Sequence, residues 1–375
     1  MFMVGSFAVF SVLDYIMRNF KSKRQQSACS SLKDETIYVA LLNYSGSGAG
    51  GRCLYSLFEN AKCPTRIHVG IYEASYIPRG GAVEFYDKLQ KRFSSSALNF
   101  KTQIKSFPVS SRNGGSYVAR QHLIEKTYAD EKYILTLNDN VEMLKNWDEE
   151  LVRTLSSLPK NNVVVAPPSP AKNVFTWLFD SNLDARYPVV GGFSESGLPL
   201  HTSKPFLGNS SLDSNVQKSL LWMSSCSFCH ASFFVESKKP LLSLNHENQN
   251  KNEDEEQQNF AIAIARRNLP NLFLDDTLIT CDAMAAGWNF HCSTRGISRF
   301  WFDSDANIVS TRSGIPLEDI FKDSKETRDI MHKELGPYLQ EIGLYKKATS
   351  KAFLGVVDPS NREEIGKKHG FTVVT

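Results

Sequence analysis

Three oxygen-bearing side chains follow one another at the end of an apolar, strand-like segment. The segment KYILTLN runs directly into the triplet Asn138, Asp139 and Asn140. Carboxylate and amide oxygens suit Mg²⁺ or Mn²⁺, and such cations bridge to the oxygens of a diphosphate. The triplet therefore predicts a metal site at the carboxyl end of a strand, with a turn that caps the following helix as the alternative.

A second acidic cluster, Asp275 and Asp276, opens a helical pattern over 277–286 that ends at Gly287. Acids at a helix start are often caps that interact favourably with the helix dipole. A carboxylate on a rigid helix start could also take a proton from an acceptor hydroxyl within hydrogen-bonding distance. Asp276, supported by Asp275, is therefore the candidate catalytic base, and a helix cap is the alternative.

A glycine-rich turn, Tyr44 to Gly51, contains the G-x-G-x-x-G pattern of dinucleotide sites. It follows an apolar run that ends at Asn43, and the next strand-like segment ends at Glu73, where such sites place the acid that binds a ribose. Asn43 and Tyr44 carry side chains suited to a base or a ribose. The turn predicts an NAD site, another nucleotide site or only a flexible connection.

These residues must be positioned by alternating strands and helices. From Thr36 to Pro167 the apolar periodicity alternates between the two, which predicts an α/β fold with a parallel sheet covered on both faces. Residues 169–215 are rich in Pro, Gly and Ser and predict a long irregular lid or binding loop. The predicted strands are 37–43, 66–72, a strand near 98–107, 132–138, 163–167, 224–235 and 288–292, and the predicted helices are 53–61, 83–93, 116–128, 147–158 and 277–286.

The composition is that of a globular protein. Of 375 residues, 41% are hydrophobic and 22% charged, and the net charge of +3 does not imply a nucleic-acid partner. We divide the chain into an apolar and basic segment (1–35), an α/β domain (36–313) and a charged helical extension (314–375). Residues 1–17 predict either a packed helix, which we favour, or a peripheral membrane contact.

The seven cysteines are too scattered and too few for a disulfide framework, so we expect a reducing, cytoplasmic compartment. Cys226 and Cys229 form a C-x-x-C followed by His230, which could indicate zinc or haem. No second Cys/His pair lies at finger spacing, and the surrounding residues alternate as in a buried strand. We therefore expect a strand here.

Three stretches together resemble the GT-A-type N-acetylglucosaminyltransferases, the family that includes the enzymes glycosylating hydroxyproline on cytoplasmic proteins. The first is residues 37–73, from IYVALLN to RIHVGIYE. The second is the Gly-x-Tyr-x-Ala-Arg pattern of residues 115–120, which leads through the triplet to Trp147 and Asp148. The third is FLDDTLITCDAMAAGWNF, residues 273–290, and the resemblance covers roughly 36–302.

The resemblance implies a GT-A-like, Rossmann-type fold with a mostly parallel sheet, a UDP-sugar donor and a hydroxyl acceptor on a protein or glycan. It implies roles for residues already singled out: Asn43, Tyr44 and Glu73 at the uridine, Arg112 and Arg120 at the diphosphate, and Asn138, Asp139 and Asn140 at Mn²⁺ or Mg²⁺. The family usually has Asp-Ser-His where this chain has the triplet, and a later metal-binding His of the family aligns near Arg299.

Three tryptophans, Trp177, Trp222 and Trp288, could stack on a sugar, although packing in the core is the commoner role of such residues. Two further functions are consistent with the sequence. A GT-A-like module without catalytic activity could bind a glycan or a protein, and an NAD-dependent oxidoreductase could use the glycine-rich turn.

Overall fold

The computed structural model describes residue 29 and residues 34–43, 49–73, 86–93, 98–108, 116–169, 185–193, 199–205, 216–219, 221–235, 276, 279, 280, 283 and 287–300. The predicted helical extension and almost all of the N-terminal apolar and basic segment lie outside these ranges. Among the described residues, no helix combines the length and the apolar character needed to cross a bilayer.

The described elements alternate between strands and helices over much of the chain. The strands are β1 (Ile37–Asn43), β2 (Ile67–Glu73), β3 (Ile104–Pro108), β4 (Tyr133–Asn138), β5 (Val141–Met143), β6 (Asn162–Val165), β7 (Arg186–Phe193), β8 (Pro199–Pro205), β9 (Val216–Ser219), β10 (Cys226–His230), β11 (Asn289–Ser293) and β12 (Ser298–Phe300). The helices are α1 (Ala49–Glu59), α2 (Tyr86–Arg92), α3 (Phe100–Gln103), α4 (Ser116–Thr127), α5 (Trp147–Ser156) and α6 (Ser232–Val235). Residues 276, 279, 280 and 283 are also helical.

Eight of the described strands form one sheet in the order β3-β2-β1-β4-β10-β6-β11-β9. Strands β3, β2, β1, β4, β6 and β11 run in one direction, and β10 and β9 run in the other. Two smaller antiparallel pairs, β5 with β12 and β7 with β8, complete the described strands. The predicted α/β fold with a mostly parallel sheet is confirmed by this order and polarity.

β1 is buried along its whole length because apolar side chains cover both faces of the sheet. One face packs against α1 and α5, and the other packs against α4 and the helical residues near position 280. Alternate residues of β1 divide between the two faces. Ile37, Val39 and Leu41 lie in the first cluster, whereas Tyr38, Ala40 and Leu42 lie in the second.

The sheet order reverses between β1 and β4. From β1 the chain crosses through α1 to β2 on one side, and from β3 it returns through α4 to β4 on the other side of β1. Right-handed crossovers in opposite directions place α1 and α4 on opposite faces. Open α/β sheets bind ligands at such a switch point, outside the carboxyl ends of the two strands.

The strands β9 and β10, antiparallel to the rest, are the exceptions that a mostly parallel sheet allows. Three local predictions were wrong. The predicted strand near 98–107 begins with the short helix α3. The predicted strand 224–235 is a turn, the strand β10 and the short helix α6. The predicted irregular segment 169–215 contains the hairpin β7–β8, whose Pro188 and Gly192 hide the strand periodicity.

A buried carboxylate joins α5 to the loop before β2. Asp148 is fully buried and accepts hydrogen bonds from the backbone N–H of Lys62 at 2.6 Å and of Cys63 at 3.0 Å. Its Oδ2 also lies 2.9 Å from Nη2 of Arg66, which is itself buried. Asp148, one of the residues that carry the sequence resemblance, therefore joins α5 to the loop before β2 through buried hydrogen bonds.

Cys63 also forms a disulfide with Cys29, with 5.4 Å between their Cα atoms. One link is not a disulfide framework, but disulfides persist in oxidising compartments. The cytoplasmic localisation therefore stays a prediction.

Candidate functional site

Polar side chains stand at the carboxyl ends of three neighbouring strands. In the parallel ladders, Asn43 of β1 is level with Glu73 of β2, and Leu42 of β1 is level with Asn138 of β4. The sequence predicted that each strand ends in a polar residue. The structure shows that these ends share one edge of the sheet, at the switch point.

Asn43 and Glu73 are directly hydrogen-bonded. Nδ2 of Asn43 donates to Oε2 of Glu73 at 3.0 Å, and both residues are buried. This bond fixes the orientation of the Asn43 amide, because only its nitrogen can donate to a carboxylate. Its Oδ1 is buried and has no hydrogen-bond partner within the described part of the chain. A ligand that reaches this position must therefore bring an N–H or O–H donor.

The first turn of α1 approaches Asn43 closely. A Cβ atom added at Gly50 would lie 2.6 Å from Cγ, 2.7 Å from Oδ1 and 2.8 Å from Nδ2 of Asn43. Real Cβ atoms essentially never approach other atoms so closely, so the absence of a side chain at Gly50 lets the helix N-terminus lie against the amide. The glycine-rich sequence thus has a local packing reason at this position.

Asn138 is engaged by a buried guanidinium. Nη2 of Arg120, from α4, donates to Oδ1 of Asn138 at 2.6 Å, and Arg120 is 0% exposed. Arg120 was predicted to contact a diphosphate, and the structure places it at the end of β4. The Arg120 guanidinium holds the Asn138 amide and is enclosed, so it is not part of the exposed surface.

Asp139 and Asn140 form the turn between β4 and β5. The backbone N–H of Asp139 donates to the carbonyl of Leu42 at 3.0 Å, so the last hydrogen bond of the β1–β4 ladder reaches this residue. Asp139 is buried and Asn140 is half-buried. The triplet therefore spans the end of β4 and the turn that follows it.

Cys53, on α1, lies close to the end of β4. Its thiol lies 3.7 Å from the carbonyl oxygen of Asn138. Burial raises the pKa of the Cys53 thiol well above its usual value, and the negative charge of Asp139 raises it further. Asp139 itself is 3% exposed.

The contact to Arg120 does not fit a cation on the Asn138 amide oxygen. A divalent ion on Oδ1 of Asn138 would lie about 4 Å from the Arg120 guanidinium, where the repulsion is about 8 kcal/mol at an effective dielectric constant of about 20. Within the described ranges, no group of three or more His, Cys, Asp or Glu side chains could hold a metal ion.

Arg299, near which the family's later metal ligand aligns, forms an ion pair. It stands opposite Glu142 in the β5–β12 ladder, and its Nε donates to Oε2 of Glu142. The ion pair lies close in sequence to the triplet, since β5 begins one residue after Asn140. A salt bridge therefore occupies the position where the resemblance suggested a cation ligand.

Asp276 is brought to the same edge by β10. Its Oδ1 accepts hydrogen bonds from the backbone N–H of Ser224, at 2.9 Å, and from the Ser224 hydroxyl. Ser224 lies two residues before Cys226, which pairs with Leu137 at the end of β4. The antiparallel direction of β10 therefore links Asp276 to the triplet through one short turn.

The sequence did not single out the turn that makes this link. Its hydroxyls belong to Ser224 and Ser225, and Oγ of Ser225 is buried with no hydrogen-bond partner in the described structure. The sequence does show a serine pair directly before a strand. That pair predicts a link between Asp276 and the end of β4 only if the strand is antiparallel. The predicted cap at Asp276 is also different, because Asp276 is itself helical and its side chain bonds to Ser224.

Two of the tryptophans have the packing role. Trp222 is fully buried and stacks on Phe233 with ring centroids 5.2 Å apart, and Trp288 packs edge-on against Phe233 at 4.9 Å. Cys226 and Cys229 also lie in the core, in different clusters on opposite faces of the sheet. Their sulfur atoms consequently cannot meet at one metal.

Four of the predicted site residues, Tyr44, Arg112, Asp275 and Trp177, lie outside the described ranges. Among the others, the structure places Asn43 with Glu73 and Arg120 with Asn138, and it connects Asp276 to the same edge.

No protein-family model matches the chain, and no curated protein matches it significantly. A solved structure to which it is similar is GalNAc-T7 with UDP, GalNAc and Mn²⁺, at 12% sequence identity and a TM-score of 0.48. The alignment covers 90% of this chain and 55% of that chain, so this chain spans about half the length of GalNAc-T7. A similarity at this level assigns no activity to the present chain.

Proposed function

We propose that the chain is a glycosyltransferase that binds a UDP-sugar at the switch point between β1 and β4 and transfers the sugar to a hydroxyl group. The observation that supports this most strongly is the alignment of Asn43, Glu73 and Asn138 at one edge of the sheet. The sequence resemblance supplies the sugar, N-acetylglucosamine, and the acceptor class, a protein or a glycan.

Each side of the site has a distinct chemical task in this proposal. Glu73 accepts a hydrogen bond from a ribose hydroxyl, and Oδ1 of Asn43 accepts one from a ribose hydroxyl or a base N–H. The first turn of α1 presents backbone N–H groups that favour negative charge. Asn138, fixed by Arg120, offers its amide N–H groups to an anionic group at the end of β4.

Asp276 is proposed to orient the acceptor hydroxyl and take its proton. Two donors from Ser224 hold its Oδ1, so the carboxylate has a fixed direction. A base that takes part in proton transfer must lie within hydrogen-bonding distance of the proton. The turn before β10 supplies the rigid support that this requires.

The assay is release of UDP from UDP-N-acetylglucosamine, with and without an acceptor. We expect Asp276→Asn to retain UDP binding and to lower turnover by roughly 10²-fold to 10⁴-fold. Unchanged turnover in this variant would remove Asp276 from the mechanism. A melting curve equal to that of the wild type serves as the control for folding.

A second candidate is a module of the same fold that binds a nucleotide sugar, a glycan or a protein without transfer. It is favoured by the triplet, in which Arg120 holds the amide oxygen of Asn138 that a cation would need. Saturable UDP binding without UDP release in any acceptor mixture would support this candidate over the transferase.

A further inference from the structure

The triplet raises a separate question about the cofactor, and the answer rests on the proposed nucleotide site. We propose that Asn138, whose amide oxygen is held by Arg120, is not a cation ligand, and that the nucleotide diphosphate binds without a divalent cation. The sequence resemblance implies Mn²⁺ or Mg²⁺, so this inference departs from it.

The amide oxygen of Asn138 is already occupied by a hydrogen bond from Arg120. Oδ1 of Asn138 lies 2.6 Å from Nη2 of Arg120, and this is the atom that a cation would need. Guanidinium donors and divalent cations compete for the same oxygen because both are attracted to its lone pairs and repel each other. The short distance and the full burial of Arg120 show that the guanidinium holds this position.

The triplet contains one carboxylate, Asp139, between two amides, and Asp139 is only 3% exposed. A Mg²⁺ or Mn²⁺ site built on a diphosphate uses carboxylate oxygens that converge on the phosphates. The triplet therefore offers such a site a single, enclosed carboxylate.

A second arginine binds an acid in the neighbouring β5–β12 ladder. Arg299 pairs with Glu142, the carboxylate that follows the triplet most closely in the chain, so that acid is engaged by a guanidinium as well. Two of the oxygen-bearing side chains around the turn after β4 are thus bonded to arginine. The positive groups around this turn are therefore the arginine side chains Arg120 and Arg299.

The test is a titration of the full chain with UDP by calorimetry, once in EDTA and once in saturating Mn²⁺. We expect the two Kd values to agree within about 3-fold, since no protein-held cation contributes. UDP binding in Mn²⁺ alone would overturn the inference and leave the proposed nucleotide site intact. Absence of UDP binding in both buffers would overturn both.

Variants separate a direct amide contact from a metal ligand. Asn138→Leu removes the amide that Arg120 holds, and with it the amide N–H groups offered to the nucleotide, so we expect UDP affinity to fall by about 10-fold in EDTA and by the same factor in Mn²⁺. A metal ligand would instead show its loss only in Mn²⁺, and that result would contradict us. Asp139→Asn removes the one carboxylate of the triplet, and we expect it to leave the ratio of the two Kd values unchanged.

Manganese binding gives a readout that needs neither activity nor a nucleotide. We expect the electron paramagnetic resonance signal of free Mn²⁺ to keep its full intensity when the protein is added. A stoichiometric loss of that signal on adding wild-type protein, restored in Asn138→Leu, would show a cation at the triplet and overturn the proposal.

Discussion

The close approach of Gly50 to Asn43 allows a quantitative test of the site. In Gly50→Ala, the new Cβ would lie 2.6 to 2.8 Å from three side-chain atoms of Asn43, so the amide must move. Moving it breaks the 3.0 Å hydrogen bond to Glu73 and leaves a buried carboxylate without that donor.

The expected magnitude follows from these contacts. Overpacking costs about 1–3 kcal/mol, and the lost hydrogen bond to a charged group costs a similar amount, about 1.5–3 kcal/mol. Alanine in place of glycine returns at most about 1 kcal/mol of helix propensity, less at a helix end. We therefore expect Gly50→Ala to lower the free energy of unfolding by about 1.5–6 kcal/mol and to weaken UDP binding.

The assay is urea unfolding of three variants, Gly50→Ala, Asn43→Ala and the double variant, which form a double-mutant cycle. Without the Asn43 side chain the added methyl group has no clash, so the cost of Gly50→Ala should largely disappear in the double variant. UDP affinity should remain low in all three. Equal costs of Gly50→Ala with and without Asn43, or normal UDP affinity in Gly50→Ala, would refute the reasoning.

Three further predictions concern the frame around the site. In Asp148→Asn the buried guanidinium of Arg66 loses its opposite charge, so we expect the free energy of unfolding in urea to fall by about 3–5 kcal/mol. A fall below about 1 kcal/mol would contradict a buried ion pair. Reduction of the Cys29–Cys63 disulfide, with a sequence separation of 34, should cost about 3–4 kcal/mol, and an unchanged Tm in dithiothreitol would contradict it. Burial raises the pKa of Glu131, but hydrogen bonds, chiefly from His68, outweigh it and hold that pKa below its ordinary value of 4.5. The ionised Glu131 carboxylate therefore stabilises the folded protein above pH 4.5, and this contribution is lost as the pH falls through the lowered pKa. Glu131→Gln should reduce this loss of stability in acid unfolding.

Much of the fold could be predicted because the buried strands are continuous apolar runs. β1 was predicted with its observed bounds, and α4 and β4 to within one residue at each end. The antiparallel direction of β10 could not be read from its sequence, since a strand buried on both faces has the same apolar pattern in either direction. The hairpin β7–β8 was missed because its prolines and glycines are typical of loops.

The site was predicted in its residues but not in their contacts. The polar ends of β1, β2 and β4 were visible as Asn43, Glu73 and Asn138, and the parallel sheet explains why they share an edge. Periodicity could not show that Arg120, eighteen residues earlier in the chain, reaches the Asn138 amide. That contact changes the interpretation of the triplet from a cation site to an arginine-bound turn.

The most direct test of a nucleotide site at the β1–β4 switch point is the change in Tm of the wild-type protein with UDP, UDP-N-acetylglucosamine, GDP and NADH. A ligand at 100 times its Kd stabilises the folded state by about 2.7 kcal/mol, which is readily measured as a higher Tm. We expect UDP and UDP-N-acetylglucosamine to raise the Tm, and Asn43→Ala to abolish the rise. An unchanged Tm with both uridine nucleotides, or a rise with NADH alone, would contradict the proposed site.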